Sequence, residues 1–397
     1  MKPNIVFNSH IDLFSKRYIE KTSPFPRTPE FLAENQRQKM LALLAEQFLL
    51  FDSVAIKTDR SNYPLLFLIG ELGINRVEEL FRNGSLKLVL WTPVIATSVG
   101  TQLPNGKTDE STVLGSPPIF TGMYVEEDSD PEKNLDNILN RFQIHEDRKK
   151  IFKKVAIQQY VLPDNSVAEK AKEIILDAYA KNRLLSFGFD SRKDATQLNS
   201  QERIRLLKLG DEILETSVIA EKEMKSYDNY AYFHLTKDSV KHIESALRVS
   251  ENTSKIFQVQ NIPDIQALFH NKSLSLDNIF ELRDKSVTAK YREWINSIST
   301  DINANQISKE YVSEITGKNN FFDSNKGKFL RTVGMFGIGS GVSAMLGGGI
   351  PGLTLGTVAG KAADLGFSLI DTYIVDGLLK GWNPKMFIDE INDKLDK

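Results

Sequence analysis

Hydrophobic residues in the first third of the chain form short runs rich in valine, isoleucine and leucine. These runs predict strands at residues 4–8, 51–57 and 85–91. Residues 63–72 and 74–82, between the second and third runs, have the apolar spacing of two helices. A strand, two helices and a strand in this order favour a parallel crossover, because parallel neighbours need a long connection. The pattern therefore predicts a small α/β layer.

Beyond a charged, proline-containing stretch at residues 125–133, apolar residues recur mainly at helical spacing. Long helical patterns cover residues 201–227 and 277–298. Ser166 and Glu169 have the spacing of a capping box, which predicts the start of a further helix that reaches about residue 182. The middle of the chain is therefore expected to be mostly helical.

These elements predict an α+β fold that is predominantly helical. We expect an α/β domain at residues 1–128, a helical domain at 129–330, and a Gly-rich helical hairpin with a C-terminal helix at 331–397. The length of 397 residues agrees with two or three domains at roughly 150 residues each.

The stretch from residue 332 to residue 360 has no charged side chain and contains 10 of the chain's 24 glycines. Glycines four residues apart lie on one face of a helix and let a second backbone approach closely, as in a glycine zipper. The glycines with this spacing are Gly337, Gly341, Gly348, Gly352, Gly356 and Gly360. A tightly packed hairpin within the fold is the favoured interpretation, and a membrane-active hairpin over residues 332–380 is the alternative.

Charge and length argue against a simple membrane span in this region. The first predicted helix, at about 333–346, is shorter than the roughly 20 residues that cross a bilayer. The second, at about 352–380, carries charged residues such as Lys361 and Asp364, which are costly in lipid. Residues 339–344 also match a dinucleotide-type phosphate loop, but three glycines interrupt the helix that should follow.

Composition excludes several kinds of chemistry. The chain has no cysteine, which excludes disulfides, Cys-ligated zinc and thiol nucleophiles. Lys and Arg number 50 and Asp and Glu 52, so no overall positive charge attracts nucleic acid, which we do not expect as a partner. We expect a cytoplasmic protein that reaches the inner membrane only if the hairpin inserts. No motif identifies a cofactor.

Polar residues at the ends of the predicted strands are the candidates for catalysis. His10 and Asp12 follow the first strand, Asp52 begins the second, and Asp59 follows it. Functional groups in α/β folds often lie at strand ends, and clustered carboxylates bind divalent cations. These residues support a metal-dependent hydrolase or nuclease, although we could align no further ligands to complete a metal site. The alternative is that they are ordinary polar loop residues.

Two charged groups of residues have a structural and a functional interpretation. The densest basic run could contact phosphates, but Glu146 and Asp147 partly cancel its charge, so a solvated helix face is favoured. This run consists of Arg148, Lys149, Lys150, Lys153 and Lys154. Charged residues also flank the apolar stripe of residues 277–298, where structural ion pairs are expected. They are Glu281, Arg283, Asp284, Arg292 and Glu293.

The function that these features favour is a non-enzymatic interaction or effector protein. Its folded body would contact a protein partner or a second copy, while the Gly-rich hairpin packs or inserts into a membrane on activation. A bacterial toxin or an antiviral-defence effector would have this organisation. The alternative is the metal-dependent hydrolase or nuclease with its site at the strand ends.

Overall fold

The computed structural model describes residues 4–20, 30–122, 126–226, 265–298 and 384–395. Its framework is a five-stranded sheet whose neighbouring strands are all parallel. The strands, in chain order, are β1 (Ile5–Asn8), β2 (Ser53–Thr58), β3 (Leu86–Leu90), β4 (Val94–Ala96), β5 (Thr101–Gln102), β6 (Thr108–Asp109), β7 (Phe120–Gly122), β8 (Tyr160–Val161) and β9 (Lys225–Ser226). The sheet has the order β8-β3-β2-β1-β9, while β4 pairs with β7 and β5 with β6 in two small antiparallel ribbons.

Helices cover both faces of the sheet. In chain order they are α1 (His10–Glu20), α2 (Glu30–Leu50), α3 (Tyr63–Leu72), α4 (Ile74–Arg82), α5 (Pro131–Leu139), α6 (Glu146–Ala156), α7 (Ser166–Ala180), α8 (Ser200–Glu221), α9 (Ile265–His270), α10 (Leu276–Arg283), α11 (Ser286–Ile298) and α12 (Pro384–Leu395). Short 3-10 turns lie at Glu126–Ser129, Ile157–Gln159, Leu185–Phe187 and Ala195–Gln197. The α+β, predominantly helical fold class is confirmed.

Alternate residues of each strand point into two separate hydrophobic cores. Val6, Val54 and Leu88 pack with α1 to α6 and α9 to α12, whereas Phe7 and Val89 pack with α7 and α8. Burial on both faces explains why the central strands read as continuous apolar runs rather than as an alternating pattern.

The structure agrees closely with the predicted helices before residue 83 and adds elements that the pattern did not predict. α3 and α4 have the predicted bounds, and Gly73 separates them with a φ of 77°. A helix, α1, starts directly after β1 where no helix was predicted. β8 and β9 come from beyond residue 128, so the sheet contains strands from both sides of that predicted domain boundary.

Two predicted helices in the middle of the chain have different bounds in the structure, and one predicted cap is wrong. The pattern at 277–298 forms two helices, α10 and α11, and the one at 201–227 ends with α8 and is followed by β9. Ser166 and Glu169 do not form a capping box, because Asn165 occupies the N-cap position without a side-chain bond. Glu169 instead accepts a hydrogen bond from Thr121 Oγ1 at 2.9 Å.

Two buried arginines hold α10 and α11 against the amino-terminal edge of the sheet. Arg283 donates to the carbonyl oxygens of Phe48, Phe51 and Asp52 and to Ser85 Oγ. Arg292 donates to the Leu49 carbonyl and contacts Asp52 Oδ1 at 3.3 Å. Because the final carbonyls of a helix lack partners within the helix, these guanidinium groups act as a cap on α2.

The Gly-rich prediction falls outside the described part of the chain. The segment 332–380 lies there, with Gly337, Gly341, Gly348, Gly352, Gly356 and Gly360. In the described residues, no helix is long and apolar enough to cross a membrane.

Candidate functional site

The carboxyl edge of the sheet beside β1 is the position where an α/β fold is expected to bind a ligand. The chain adds β2, β3 and β8 on one side of β1 and then returns to its other side for β9. Ligands of open α/β sheets bind outside the carboxyl ends of the strands where the strand order reverses. The order reverses between β1 and β9, so the residues that follow β1 are the first to consider, together with those after its other neighbour, β2.

α1 brings a carboxylate and an amine to this edge. Asn8, the last residue of β1, accepts a hydrogen bond from the Ile11 backbone N–H at 3.1 Å through its Oδ1. This bond satisfies one N–H group at the start of the helix, as an N-cap side chain does. Asp12 then lies in the first turn of α1 and Lys16 one turn later, on the same face.

Lys16 joins the ends of β1 and β2. Its Nζ lies 3.0 Å from Asp12 Oδ2 and 2.8 Å from Asp59 Oδ2, and Asp59 directly follows β2. The Lys16 ammonium thus bridges two carboxylates that lie 47 residues apart in the sequence. The spacing of Asp12 and Lys16 could have indicated this pair, had a helix been predicted after β1.

One carboxylate oxygen of this group keeps its capacity for a further bond. Asp12 Oδ1 is buried and has no hydrogen-bond partner among the described residues, and its side chain is only 14% exposed. Burial raises the pKa of the Asp12 carboxyl; Lys16 opposes this effect, and the charge of Asp59 adds to it. Burial alone would lower the pKa of Lys16, but the charges and hydrogen bonds of Asp12 and Asp59 raise it. A buried carboxyl group whose pKa is raised is a candidate for proton transfer.

A buried amide and hydroxyl network fixes the backbone that carries Asp59. Asn62 adopts the left-handed conformation, with a φ of 46°, and its Oδ1 accepts from Thr58 Oγ1 at 2.8 Å. Its Nδ2 donates to Asn134 Oδ1 at 2.8 Å, and Asn134 Nδ2 donates to the Asp59 carbonyl at 2.7 Å. Tyr160 Oη also donates to Asn134 Oδ1, at 2.7 Å. The network connects β2, α3, α5 and β8 and limits the movement of the loop after β2.

The four predicted catalytic candidates do not form one cluster. His10 begins α1, and Asp12 and Asp59 meet at Lys16, all at the carboxyl edge. Asp52 precedes β2 and therefore lies at the opposite edge, where it accepts from the Asn4 backbone N–H at 2.9 Å. Across the described ranges, no three His, Asp or Glu side chains form a group that could hold a metal ion.

The basic run on α6 lies among carboxylates. Arg148 binds Glu78, Lys149 lies 2.8 Å from Glu146, and Lys150 lies 3.8 Å from Asp147. Lys153 contacts both Glu132, at 3.0 Å, and Asp136, at 2.9 Å, whereas Lys154 is exposed. The pair of Lys150 with Asp147 is exposed on both sides, as on a solvated helix face, whereas Glu78, the partner of Arg148, is buried.

Comparisons of the chain with protein-family models, with curated proteins and with solved structures gave no match. The chemistry of the carboxyl edge is therefore argued from the geometry of its own residues.

Proposed function

We propose that the chain is a hydrolase whose proton-transfer groups lie at the carboxyl edge of the sheet. The observation that carries the proposal is the bridge from Lys16 to Asp12 and Asp59, which leaves Asp12 Oδ1 without a bond. Burying charged groups costs free energy, and an unused oxygen adds to that cost. Perturbed groups of this kind, located beside the strand where the order reverses, are characteristic of active sites.

The three residues have separate roles in this proposal. Asp12 Oδ1 accepts a proton from an attacking water molecule, so that the water oxygen can form its bond to the substrate. Lys16 stabilises the negative charge that develops at the attacked centre. Asp59, held by the network around Asn134, keeps the Lys16 ammonium in position.

The charge of the site favours one class of substrate. Asp12 and Asp59 supply two carboxylates against the single ammonium of Lys16. A net negative field repels phosphodiesters and other anions, attracts cations and exerts no net pull on neutral molecules. Lys16 also lies between the carboxylates, where a divalent cation would bridge them. We therefore favour a hydrolase of esters or glycosides over the metal-dependent nuclease that the sequence also suggested.

The test is turnover of three chromogenic probes: p-nitrophenyl acetate, a p-nitrophenyl glycoside and bis-p-nitrophenyl phosphate. Wild type should hydrolyse the acetate or the glycoside, and Asp12→Asn should lower that rate by about 100-fold or more. Asp177→Asn is the matched control, because Asp177 also pairs with a lysine one turn later on a helix, at 2.8 Å. No turnover by the wild type, or turnover that Asp12→Asn leaves intact, would contradict the proposal.

A second candidate function comes from the C-terminal helices. α12 packs on α11 through Tyr291 and Phe387, whose rings are stacked with centroids 3.9 Å apart. Lys285 pairs with Glu390 and Lys394 with Glu281, so two ion pairs join α12 to α10 and to the start of α11. The described residues on the two sides of 299–383 therefore pack against one another.

These anchored flanks support an effector in which residues 332–380 form a hairpin that packs or inserts into a membrane. We propose that such an effector acts in the cytoplasm, through a protein partner or a second copy, and reaches the inner membrane on activation. The test is flotation of the full chain with phosphatidylethanolamine–phosphatidylglycerol vesicles. Gly352→Leu and Gly356→Leu should abolish flotation. Gly70→Leu is the control, because a Cβ at Gly70 would meet no atom within 4 Å. Equal flotation of all variants, or flotation of none including the wild type, would contradict this candidate.

A further inference from the structure

Asn105 and Gly106 form the turn that joins the two strands of the β5–β6 ribbon. The Gly106 N–H donates to the Leu103 carbonyl at 3.0 Å, and the Leu103 N–H donates to the Lys107 carbonyl at 2.8 Å. Asn105 Oδ1 accepts from the Lys107 backbone N–H at 3.0 Å. Gly106 has a φ of 78°, which glycine adopts without the steric cost that a Cβ would bring. An asparagine followed by a glycine therefore suits this turn.

The chain contains one other Asn-Gly pair, Asn83 with Gly84, and it has the same local geometry. Asn83 Oδ1 accepts from the Ser85 backbone N–H at 3.0 Å, and the Gly84 N–H donates to the Phe81 carbonyl at 3.1 Å. Gly84 has a φ of 72°. The two pairs therefore differ in what surrounds them, so this second pair is an internal reference for the turn of the ribbon.

The central sheet holds the reference pair in place. Gly84 lies between α4 and β3, and its carbonyl accepts from Ser53 Oγ on β2 at 2.6 Å. The next residue, Ser85, is buried and accepts through its Oγ from Arg283 at 2.8 Å. The Ser85 carbonyl also accepts from the Val54 N–H at 2.8 Å. Movement of Gly84 therefore breaks bonds to the central strands, which are the parts of a fold that open at the highest cost.

The ribbon holds its own turn much more weakly. β5 and β6 have only two residues each, and all the residues from 101 to 108 are exposed. A two-stranded ribbon is at best marginally stable in water, so its turn opens at a small cost in free energy. A Cβ at Gly106 would meet no atom within 4 Å, so the space around it is open. Just after β6, Glu110 accepts from the N–H and Oγ of Ser200, which keeps the base of the ribbon attached to α8.

We propose that Asn105 is a site of spontaneous deamidation, a reaction that converts its side-chain amide to an acid. The turn opens and releases the Gly106 N–H from Leu103. Hydroxide removes this proton, and the Gly106 nitrogen forms a bond to Asn105 Cγ; glycine favours this attack because it has no Cβ to obstruct the approach. The bond from Cγ to Nδ2 breaks, and the amide nitrogen takes a proton from water and leaves as ammonia. Water then opens the cyclic imide at one of its carbonyls and gives aspartate or isoaspartate.

The reaction changes the ribbon and requires neither of the functions proposed above. Either product adds a negative charge next to Lys107 and close to the acidic Asp109. Isoaspartate also lengthens the main chain by one carbon, which disturbs the hydrogen bond from Leu103 to Lys107 that closes the ribbon. The exposed surface of the ribbon therefore changes in shape and charge as the protein ages.

The test is peptide mapping by mass spectrometry while the full chain is incubated in mildly alkaline buffer. In the folded protein, Asn105 should convert at least about 10-fold faster than Asn83, because its turn opens at a lower cost. In concentrated urea, where structure holds neither pair, the two rates should agree within about 3-fold. Asn83→Gln is the matched control and should leave the conversion of Asn105 unchanged, whereas Asn105→Gln should remove the mass change from that peptide.

Two results would overturn the proposal. One is an equal rate for the two asparagines in the folded protein, and the other is an Asn105 that stays unconverted there, whatever happens in urea. Hydrogen exchange gives a second readout, because the Leu103 amide should lose protection as isoaspartate accumulates while the amides of β3 keep theirs. Unchanged protection of Leu103 in the converted protein would contradict the effect on the ribbon.

Discussion

The two edges of the parallel sheet both carry buried charged groups, but they use them differently. At the amino edge, Arg283 and Arg292 direct their N–H groups at backbone carbonyls from the end of α2. At the carboxyl edge, Asp12 keeps one buried oxygen that no described residue bonds, and its pKa is raised by burial. The arginine N–H groups at the amino edge donate to backbone carbonyls, whereas Asp12 Oδ1 at the carboxyl edge can still accept a hydrogen bond.

This difference separates a structural use of charge from a chemical one. A guanidinium group cannot exchange its proton in the physiological range, so its value lies in the acceptors that it joins. A carboxyl group with a raised pKa and a buried oxygen that lacks a hydrogen bond is costly for stability, and proteins retain such groups where they are used. The comparison predicts that removal of the amino-edge arginines lowers stability and that changes at the carboxyl edge mainly lower activity.

The largest effect is expected at Arg283, in the amino-edge cap. Arg283→Met leaves the carbonyl oxygens of Phe48, Phe51 and Asp52 buried without their donor, which should cost about 4 kcal/mol of unfolding free energy. Urea denaturation measures this loss. Arg192→Met is the control, because the Arg192 side chain is 90% exposed and pairs only with the nearby Asp190 in the described part of the chain. This variant should unfold at the same urea concentration as the wild type. Equal midpoints for the two variants would show that the amino edge is not held by this cap.

The next effect concerns α12, which lies on the helices that the arginines hold. Phe387→Ala removes a fully buried ring that is stacked on Tyr291. It should weaken the packing of α12 on the body by about 3 kcal/mol, and the loss cannot exceed the free energy with which α12 docks. In the Phe387→Ala variant, the backbone amides of α12 should exchange their hydrogens faster than those of the sheet. Met386→Ala, which changes a side chain 39% exposed on the same helix, should leave the exchange rates unchanged. Unaltered protection in Phe387→Ala would argue that α12 is held by other contacts.

The elements that the sequence predicted well are those with strong local signals. Gly73 separates α3 from α4, and Asn83 and Gly84 follow the second helix, so the local chain determines these bounds. β8 and β9 have two residues each, which is too short for any periodicity, and their pairing depends on distant strands. The break between α10 and α11 contains no Gly or Pro, so no local sequence signal indicated it.

The site could be predicted only in part. Strand-end reasoning found Asp12 and Asp59, but it also included Asp52, which precedes the strand that Asp59 follows. The two ends of one strand lie at opposite edges, so the sequence alone was sufficient to separate them. Lys16 was missed because no helix was predicted after β1.

Asn4 sharpens the comparison, because it is an unsatisfied group at the amino edge. Its side chain is 1% exposed, and neither Nδ2 nor Oδ1 has a partner in the described part of the chain. Asn4→Leu has a similar volume and removes two buried polar atoms, so it should raise the unfolding free energy by about 1–2 kcal/mol. Thermal and urea denaturation check this gain. A loss of stability would mean that the Asn4 amide has a role that the present contacts do not include.

The smallest effect is expected at Asp211 on α8, one turn before the Glu215 that pairs with Lys57 near the carboxyl end of β2. The pKa of Asp211 is raised from 3.8 to about 6 in the folded protein. At pH values between these two, the folded state therefore binds more protons than the unfolded state. Wild-type stability should therefore fall as the pH rises through this interval. Asp211→Asn removes the titrating group and should be more stable than wild type at about pH 7.5, by no more than about 1 kcal/mol because the side chain is exposed. The gain should vanish at about pH 2.5, well below the ordinary pKa of an aspartate, where the wild-type carboxyl is protonated in both states. A gain that is equal at both pH values would point to altered packing rather than titration. That result would remove the electrostatic distinction between the two edges at this residue.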